Sequence, residues 1–339
     1  MNVEKITELF TLDLHELGEM ADSINRANGN YATFVINKHI NYTNVCVSRC
    51  PICAFYAKND DEGYLMGVEE VVDAAREAVK NGATELHIVG SHNPAVSLEY
   101  FEEIFSRIKE EMDVTIKALT ATEIHFLAEK EELKVEEVLR RLRDAGLDAM
   151  PGGGAEILKD EIRAKICPDK AKSQEWLEVM RTAHKLGIKT NATMLFGHIE
   201  SYEDRAEHLY QLYRLQKETG GFMAFIPLVF HPANTKFATL RKASPVDVLK
   251  TIAVSRIVLK NFGSIRAYWV MLGEKLTQIA LNYGANDVDG TLMGENISHA
   301  AGAKTPKELT VERLVKLIKG AGKIPAQRDT FNNILRVFE

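Results

Sequence analysis

The feature that most constrains the fold of this chain is a repeated alternation between short apolar runs and longer amphipathic stretches. Residues 85–89, for example, form a short and largely apolar run, and residues 98–109 follow it with apolar side chains at helical spacing. This order is typical of β-strands that alternate with α-helices in a parallel sheet. About eight strand–helix pairs can be placed along the chain, which predicts a TIM-type (β/α)8 barrel.

The two ends of this pattern are less regular than its centre. We predict a first strand at residues 33–42, preceded by an N-terminal helical extension at residues 1–30 and followed by the rest of one barrel domain, residues 31–339. The last two predicted strands, residues 265–269 and 287–290, are weakly marked. A partial (β/α)6 barrel with a C-terminal appendage is therefore the alternative fold.

Composition excludes several classes of function. The chain has 45% apolar and 27% charged residues and a net charge of -6, so it can bury a large core but does not attract a phosphate backbone. We expect neither a nucleic-acid nor a membrane partner. The first twenty residues carry charges every few positions, and nowhere do 18 apolar residues follow one another, so we expect a cytoplasmic protein.

Three of the four cysteines, Cys46, Cys50 and Cys53, lie close together directly after the predicted first strand. The end of a barrel strand is where TIM-type folds place catalytic groups. Three thiolates can bind three irons of a [4Fe-4S] cluster and leave the fourth iron open to a substrate, whereas ferredoxins use four cysteines per cluster. The fourth cysteine, Cys167, lies far away beside Pro168 and is expected to be an ordinary thiol.

Other uses of these cysteines fit the spacing less well. A structural zinc site needs four protein ligands, and no second pair of cysteines or histidines completes one. A thioredoxin-like redox pair would use Cys50 and Cys53 but would leave Cys46 unexplained. A non-catalytic zinc or iron–sulfur protein remains an alternative class of function.

The cysteine spacing after a first strand resembles the signature of the radical S-adenosylmethionine (SAM) superfamily. In that superfamily a hydrophobic residue before the last cysteine packs on the adenine of SAM, and here it is Ile52. Further segments resemble the radical SAM enzymes of the futalosine route to menaquinone: INYTNVC, ELHIVGSHNP, IKALTATEI, MPGGGAEIL, TNATMLFGHIE, QKETGGFMAFIPL, FHPANT, AYWVMLG, DVDGT and ISHAAGA. The resemblance covers about residues 36–330.

Within that family the chain resembles most the synthase that joins SAM to 3-[(1-carboxyvinyl)oxy]benzoate, an enolpyruvyl benzoate, with loss of a carboxyl group. The resemblance implies a [4Fe-4S] cluster, SAM as a consumed co-substrate and an external electron donor. The alternatives are the dehypoxanthine futalosine cyclase and the enzyme that makes the coenzyme F420 precursor, in which the adenosyl radical abstracts hydrogen. Gly90-Ser91-His92 departs from the family, where two glycines and a nearby His-Pro are expected.

The resemblance also assigns expected roles to residues outside the cysteine loop. Gly90, Ser91, Glu156 and Asn191 are expected to bind SAM, although a plain turn is the alternative for Gly90-Ser91 and for the glycines before Glu156. Substrate contacts are expected from residues at the ends of later strands, with a cap, an ordinary structural histidine or a surface ion pair as the alternative for each: Thr120, His198, Arg205, His231 and Arg266.

Overall fold

The protein is described by a computed structural model that covers residues 1–27 and 29–339. Its strands are β1 (Tyr31–Val35), β2 (Asn37–Ile40), β3 (Glu85–Ile88), β4 (Thr115–Ala118), β5 (Ala149–Met150), β6 (Lys189–Phe196), β7 (Phe222–Val229), β8 (Ser264–Ile265), β9 (Asp287–Gly290), β10 (Ile324–Arg328) and β11 (Ile334–Val337). Its helices are α1 (Val3–Leu9), α2 (Leu14–Arg26), α3 (Val68–Lys80), α4 (Leu98–Glu111), α5 (Ala121–Lys130), α6 (Val135–Ala145), α7 (Asp160–Ile166), α8 (Ser173–Lys185), α9 (Tyr202–Thr219), α10 (Pro245–Val258), α11 (Trp269–Leu272), α12 (Glu274–Ala280), α13 (Ile297–Ala300) and α14 (Val311–Gly320).

The strands β2 to β8 form one curved sheet in which each strand pairs in parallel with the next along the chain. Strand β9 continues the curve, because Arg266 after β8 bridges to Asp287 and Lys38 on β2 bridges to Met293. Strand β1 also pairs in parallel with β9. These contacts confirm the predicted parallel α/β barrel, in which β9 lies between β8 on one side and β1 and β2 on the other.

Local sequence signals set where the barrel helices begin and end. Helix α9 begins after Ser201, which forms a capping box with Asp204, and ends at Gly220 in the left-handed conformation with a φ of 61°. Helix α5 begins after Thr120, whose hydroxyl accepts a hydrogen bond from the Glu123 amide. These caps fix the loops that leave the carboxyl ends of β4 and β6, and those loops border the site described below.

Several sequence predictions are wrong in detail. The strand predicted at residues 33–42 is interrupted, because β1 pairs with β9 and β10 whereas β2 pairs with β3. The strand predicted at residues 265–269 is only the two residues of β8. The C-terminal hairpin of β10 and β11 was not expected, although two helices, α1 and α2, do precede the first strand as predicted. None of the described helices is long and apolar enough to cross a membrane.

Candidate active site

A cavity of about 320 Å³ lies inside the barrel and reaches the loops at the carboxyl ends of the strands. Cys46, Cys50 and Cys53 all line it. The loop that carries them turns sharply, with Arg49 in the left-handed region at a φ of 40° and the Cys53 amide donating to the Cys50 carbonyl at 3.0 Å. The local fold therefore brings the three predicted thiols to one cavity wall.

The surroundings of Cys50 and Cys53 oppose ionisation. Burial raises the pKa of Cys50 to about 12, and burial also raises the pKa of Cys53. Thiolates at these positions therefore need positive charge beside them, which bound iron supplies. Among the described residues, no group of three His, Cys, Asp or Glu side chains could hold a single metal ion. The donor set fits a cluster that takes one thiolate at each of three irons.

The backbone next to the cysteine loop is held by the carboxylate of Glu123. One oxygen accepts from the Tyr42 hydroxyl at 2.8 Å and from the Gly90 amide at 2.9 Å. The other oxygen accepts from both the amide and the hydroxyl of Thr120, each at 2.7 Å. Glu123 thereby ties the loops after β2, β3 and β4 together, and Thr120 is both a cavity-lining residue and the cap of α5.

Glu156 lines the same cavity and is half-buried against Lys170, with Oε1 and Nζ 2.8 Å apart. Burial alone would raise the pKa of Glu156, but Lys170 outweighs burial and leaves that pKa below its usual value. Glu156 is therefore an anion within the cavity wall, and its φ of 45° is rare for a residue with a side chain.

Two glycines of the Pro151-Gly-Gly-Gly segment pack closely against neighbouring residues. A Cβ at Gly152 would lie 2.6 Å from the backbone of Ala192, and one at Gly154 would lie 2.6 Å from the Thr122 side chain. At Gly152, then, it is the close approach to β6 that requires the missing side chain.

The inner end of the cavity rests on a buried polar cluster, which we call the floor: Glu85, Lys117, Arg266, Asp287 and Arg328. Lys117 pairs with Glu85 at 2.5 Å. Arg328 makes two hydrogen bonds to the carboxylate of Asp287, at 2.5 and 3.2 Å. Arg266 differs from both cations, because none of its three side-chain nitrogens has a hydrogen-bond partner among the described residues.

Two histidines beside the floor were not predicted as site residues. His39 and His87 are cross-strand neighbours on β2 and β3, line the cavity and stack with ring centroids 4.3 Å apart. Burial lowers the pKa of both rings, and the Lys117 charge lowers that of His87 further. Both imidazoles are therefore neutral at neutral pH. The sequence signal that could have identified these histidines is the two-residue period of a β-strand, which points alternate side chains into the barrel.

The structure brings most of the predicted site residues together at the cavity. Those that line it are Cys46, Cys50, Cys53, Ile52, Gly90, Ser91, Thr120, Glu156, Asn191, His231 and Arg266. The side-chain oxygen of Asn191 is buried without a hydrogen-bond partner among the described residues, and so is Nε2 of His92, which also lines the cavity. His231 donates from Nε2 to the Met271 carbonyl at 3.0 Å.

Two predicted substrate contacts are not among the residues that line the cavity. Arg205 makes two hydrogen bonds to Asp247, at 2.7 and 3.1 Å, and a third to Glu200 at 2.9 Å. His198 donates from Nε2 to the Leu195 carbonyl at 3.0 Å, while its Nδ1 accepts from the Ile199 amide at 2.8 Å. The donors of both side chains are thus used within the loop after β6 and the helices beside it.

A parallel barrel whose mouth carries a loop of three cysteines with this spacing defines the class of radical SAM enzymes. Comparison with known families agrees: the radical SAM superfamily matches residues 40–212, and the CofH/MqnC C-terminal region matches residues 219–337. The chain belongs to the radical SAM superfamily, whose enzymes use a [4Fe-4S] cluster and SAM.

Individual relatives cover nearly the whole chain. It is 43% identical to the aminodeoxyfutalosine synthase of Thermus thermophilus over 97% of this chain and 90% of that protein. It is 42% identical to the 5-amino-6-(D-ribitylamino)uracil–L-tyrosine 4-hydroxyphenyl transferase of Methanocaldococcus jannaschii over 95% of this chain and 93% of that protein.

Solved structures show the same fold at much lower identity. Methylornithine synthase (PylB) superposes with a TM-score of 0.77 at 18% identity, covering 96% of this chain and 94% of that chain. HydG, a maturase of the [FeFe]-hydrogenase, superposes with a TM-score of 0.77 at 16% identity, covering 96% of this chain and 73% of that chain.

Proposed function

We propose that this protein is an aminodeoxyfutalosine synthase of menaquinone biosynthesis. It would join the 5′-deoxyadenosyl group of SAM to 3-[(1-carboxyvinyl)oxy]benzoate with loss of one carboxyl group. The observation that carries the proposal is the cavity, which holds three thiols in its wall and, at its inner end, a buried guanidinium without a hydrogen-bond partner among the described residues. The likeness to the Thermus thermophilus synthase supports it.

A [4Fe-4S] cluster on Cys46, Cys50 and Cys53 would supply the electron that splits SAM into methionine and the 5′-deoxyadenosyl radical. The protein must then keep this radical away from water. Buried apolar side chains of β7 and the loop after it, Ile226 and Phe230, form part of the cavity wall and serve that purpose.

The residues proposed to surround SAM would act by holding the cavity loops in place. Glu123 fixes the Gly90 amide and the Tyr42 ring, so the loop after β3 cannot move away from the cysteine loop. Glu156 is a half-buried anion of the cavity wall and can accept hydrogen bonds from hydroxyl or amino groups of a ligand. The adenosyl group would become bonded to the enol-ether double bond, and rearrangement onto the ring would release the carboxyl group as carbon dioxide or bicarbonate. The electron given up in the final oxidation would return to the cluster.

A second candidate is the reaction named for the Methanocaldococcus jannaschii relative, which uses L-tyrosine and a ribitylaminouracil. One observation favours it. The Asp289 carboxylate lies 3.7 Å from Nη1 of Arg266, and both side chains line the cavity. An acid and a guanidinium side by side suit the ammonium and carboxylate of an α-amino acid.

Product analysis separates the two candidates. Anaerobically reconstituted and reduced protein is incubated with SAM and 3-[(1-carboxyvinyl)oxy]benzoate, and in parallel with SAM, L-tyrosine and the ribitylaminouracil. Mass spectrometry that finds an adenosyl adduct lacking one carboxyl group supports the synthase. Free 5′-deoxyadenosine with a tyrosine-derived adduct supports the transferase instead and rules the first proposal out.

A further inference from the structure

Arg266 is the least satisfied charged group at the floor. Arg266 is 1% exposed, and none of its nitrogens Nε, Nη1 and Nη2 has a hydrogen-bond partner among the described residues. A buried guanidinium with five unused N–H donors is costly unless an acceptor reaches it. The fold must therefore either tolerate this cost or recover it when a ligand binds.

The acid nearest to Arg266 is already saturated. Asp287 accepts from Arg328 twice, from the Thr33 hydroxyl at 2.5 Å and from the Asp289 amide at 2.6 Å. It lies 3.6 Å from Nε of Arg266, outside hydrogen-bond distance. Asp287 cannot turn towards Arg266 without giving up these bonds. The Asp289 carboxylate lies 3.7 Å from Nη1, also outside hydrogen-bond distance, so the donors of Arg266 remain available.

The position of Arg266 is deep within the barrel. Ile265 lies opposite Phe225 on β7, so Arg266 follows at the level of Ile226, three residues before the last residue of that strand, Val229. At about 3.3 Å per residue this is roughly 10 Å below the carboxyl end of β7. The cysteine loop follows the carboxyl end of β2, so a ligand that reaches Arg266 extends inward from the cysteines.

The neighbouring histidines suit a ligand anion rather than a further cation. His39, His87 and Lys117 are cross-strand neighbours, and all three line the cavity. Lys117 is held by Glu85, whereas the stacked imidazoles are neutral and can donate N–H groups without adding charge. A carboxylate at this end of the cavity could accept hydrogen bonds from Arg266 and from the imidazole N–H groups.

We propose that Arg266, together with His39 and His87 of the same cavity wall, forms a carboxylate-binding subsite that seats a carboxylate of the substrate at the inner end of the cavity. The inference rests on the proposed function for the identity of the ligand, but either candidate substrate carries a carboxylate. The subsite sets the orientation of the substrate; for the benzoate substrate the ring carboxylate lies inward and the carboxyvinyl group lies towards the cysteines.

The test uses the reconstituted holoenzyme with SAM and measures binding of two probes, 3-[(1-carboxyvinyl)oxy]benzoate and L-tyrosine, by calorimetry. Arg266→Met should weaken binding of the preferred probe at least about tenfold, which corresponds to one lost charged contact. The affinity for SAM should stay within about twofold. Because the replaced guanidinium makes no hydrogen bond and its two carboxylate neighbours lie 3.6 and 3.7 Å away, the melting temperature of the ligand-free variant should differ little from that of the wild type. The exposed Lys275→Gln removes a cation elsewhere and should change neither probe affinity nor melting temperature.

Each outcome decides the subsite separately from the proposed function. Preference for L-tyrosine, lost in Arg266→Met, would support the subsite and contradict the synthase. Unchanged probe affinity in Arg266→Met, or a wild-type protein that binds neither probe, would overturn the subsite. If Arg266→Met loses both affinity and melting temperature, Arg266→Lys decides: partial recovery of probe affinity supports the subsite, and no recovery overturns it.

Discussion

The mouth of the cavity, formed by the cysteine loop with Gly90 and Glu123, differs from the floor in how charge is treated. At the mouth the carboxylate of Glu123 accepts hydrogen bonds from four donors, and bound iron would supply the positive charge that stabilises the cysteine thiolates. At the floor Lys117 and Arg328 are hydrogen-bonded to carboxylates, whereas Arg266 has two carboxylates nearby but no hydrogen bond to either among the described residues. Polar groups whose hydrogen bonds are all made within the protein hold the loops and strands in place. Buried polar groups without hydrogen bonds mark the places where a ligand can supply the missing partner.

The largest expected effect concerns the mouth. Cys50→Ala should remove the iron–sulfur absorbance and all SAM cleavage, because a cluster with two thiolates is not retained. Circular dichroism should show the barrel still folded. Cys167→Ala is the matched control, since Cys167 is buried but does not line the cavity, and it should keep its iron. Iron and activity retained in Cys50→Ala would contradict the assignment of the cluster ligands.

The next effect concerns a saturated group of the floor. Asp287→Asn removes the anion that Arg328 and Thr33 contact and leaves two buried arginines, Arg266 and Arg328, without it. Breaking a buried ion pair in this way costs about 3 to 5 kcal/mol, so urea unfolding should show a large loss of stability. A loss below about 1 kcal/mol would mean that the floor does not depend on this anion. The contrast with Arg266→Met tests the comparison directly.

A smaller effect is expected from Glu123→Gln at the mouth. The amide NH2 of glutamine would face donors that now meet a carboxylate oxygen, and one pair of hydrogen bonds would be lost. The free energy of unfolding should fall by about 1 to 3 kcal/mol. We expect SAM to bind more weakly as well, because the Gly90 loop is no longer held. Unchanged SAM affinity in a destabilised variant would limit Glu123 to a role in the scaffold.

The smallest effect concerns His299, on the segment that covers the cavity. Both ring nitrogens face acceptors, the Thr305 carbonyl at 2.9 Å and the Glu295 carboxylate at 2.8 Å. Burial opposes the charged ring, but these bonds outweigh burial and raise the pKa of His299 above its usual 6.5. Its stabilising contribution is therefore complete below about pH 6.5 and disappears as the pH rises through the raised pKa of the folded state.

We expect His299→Gln to remove this dependence. Thermal unfolding between pH 5.5 and 8.5, roughly the range in which histidine titrates, should show a larger difference from the wild type at the acid end. The difference should be about 0.2 to 1 kcal/mol, as for other partly exposed charge pairs. A difference that grows with pH would contradict the assigned protonation.

Much of the mouth could be predicted from the sequence because its signals are local. The cysteine spacing and the capping signal at Thr120 lie within short segments; the structure brings the three cysteines to one cavity and shows Thr120 in the alternative role of a helix cap as well as lining the cavity. Prediction was weaker where strands are short: β8 has two residues, too few to show a period. The hairpin of β10 and β11 was missed.

The sequence by itself determined the alternating strands and helices, the three-cysteine loop and the position of that loop after a first strand. Only the tertiary structure decided which arginine has donors to spare. Arg205 and Arg266 were equal candidates in sequence, but Arg205 meets Asp247, 42 positions away, while Asp287 is taken by Arg328, 41 positions away. Hydrogen bonds require separations near 3 Å, and such distances between remote residues are set by the packed barrel rather than by neighbouring residues in the chain.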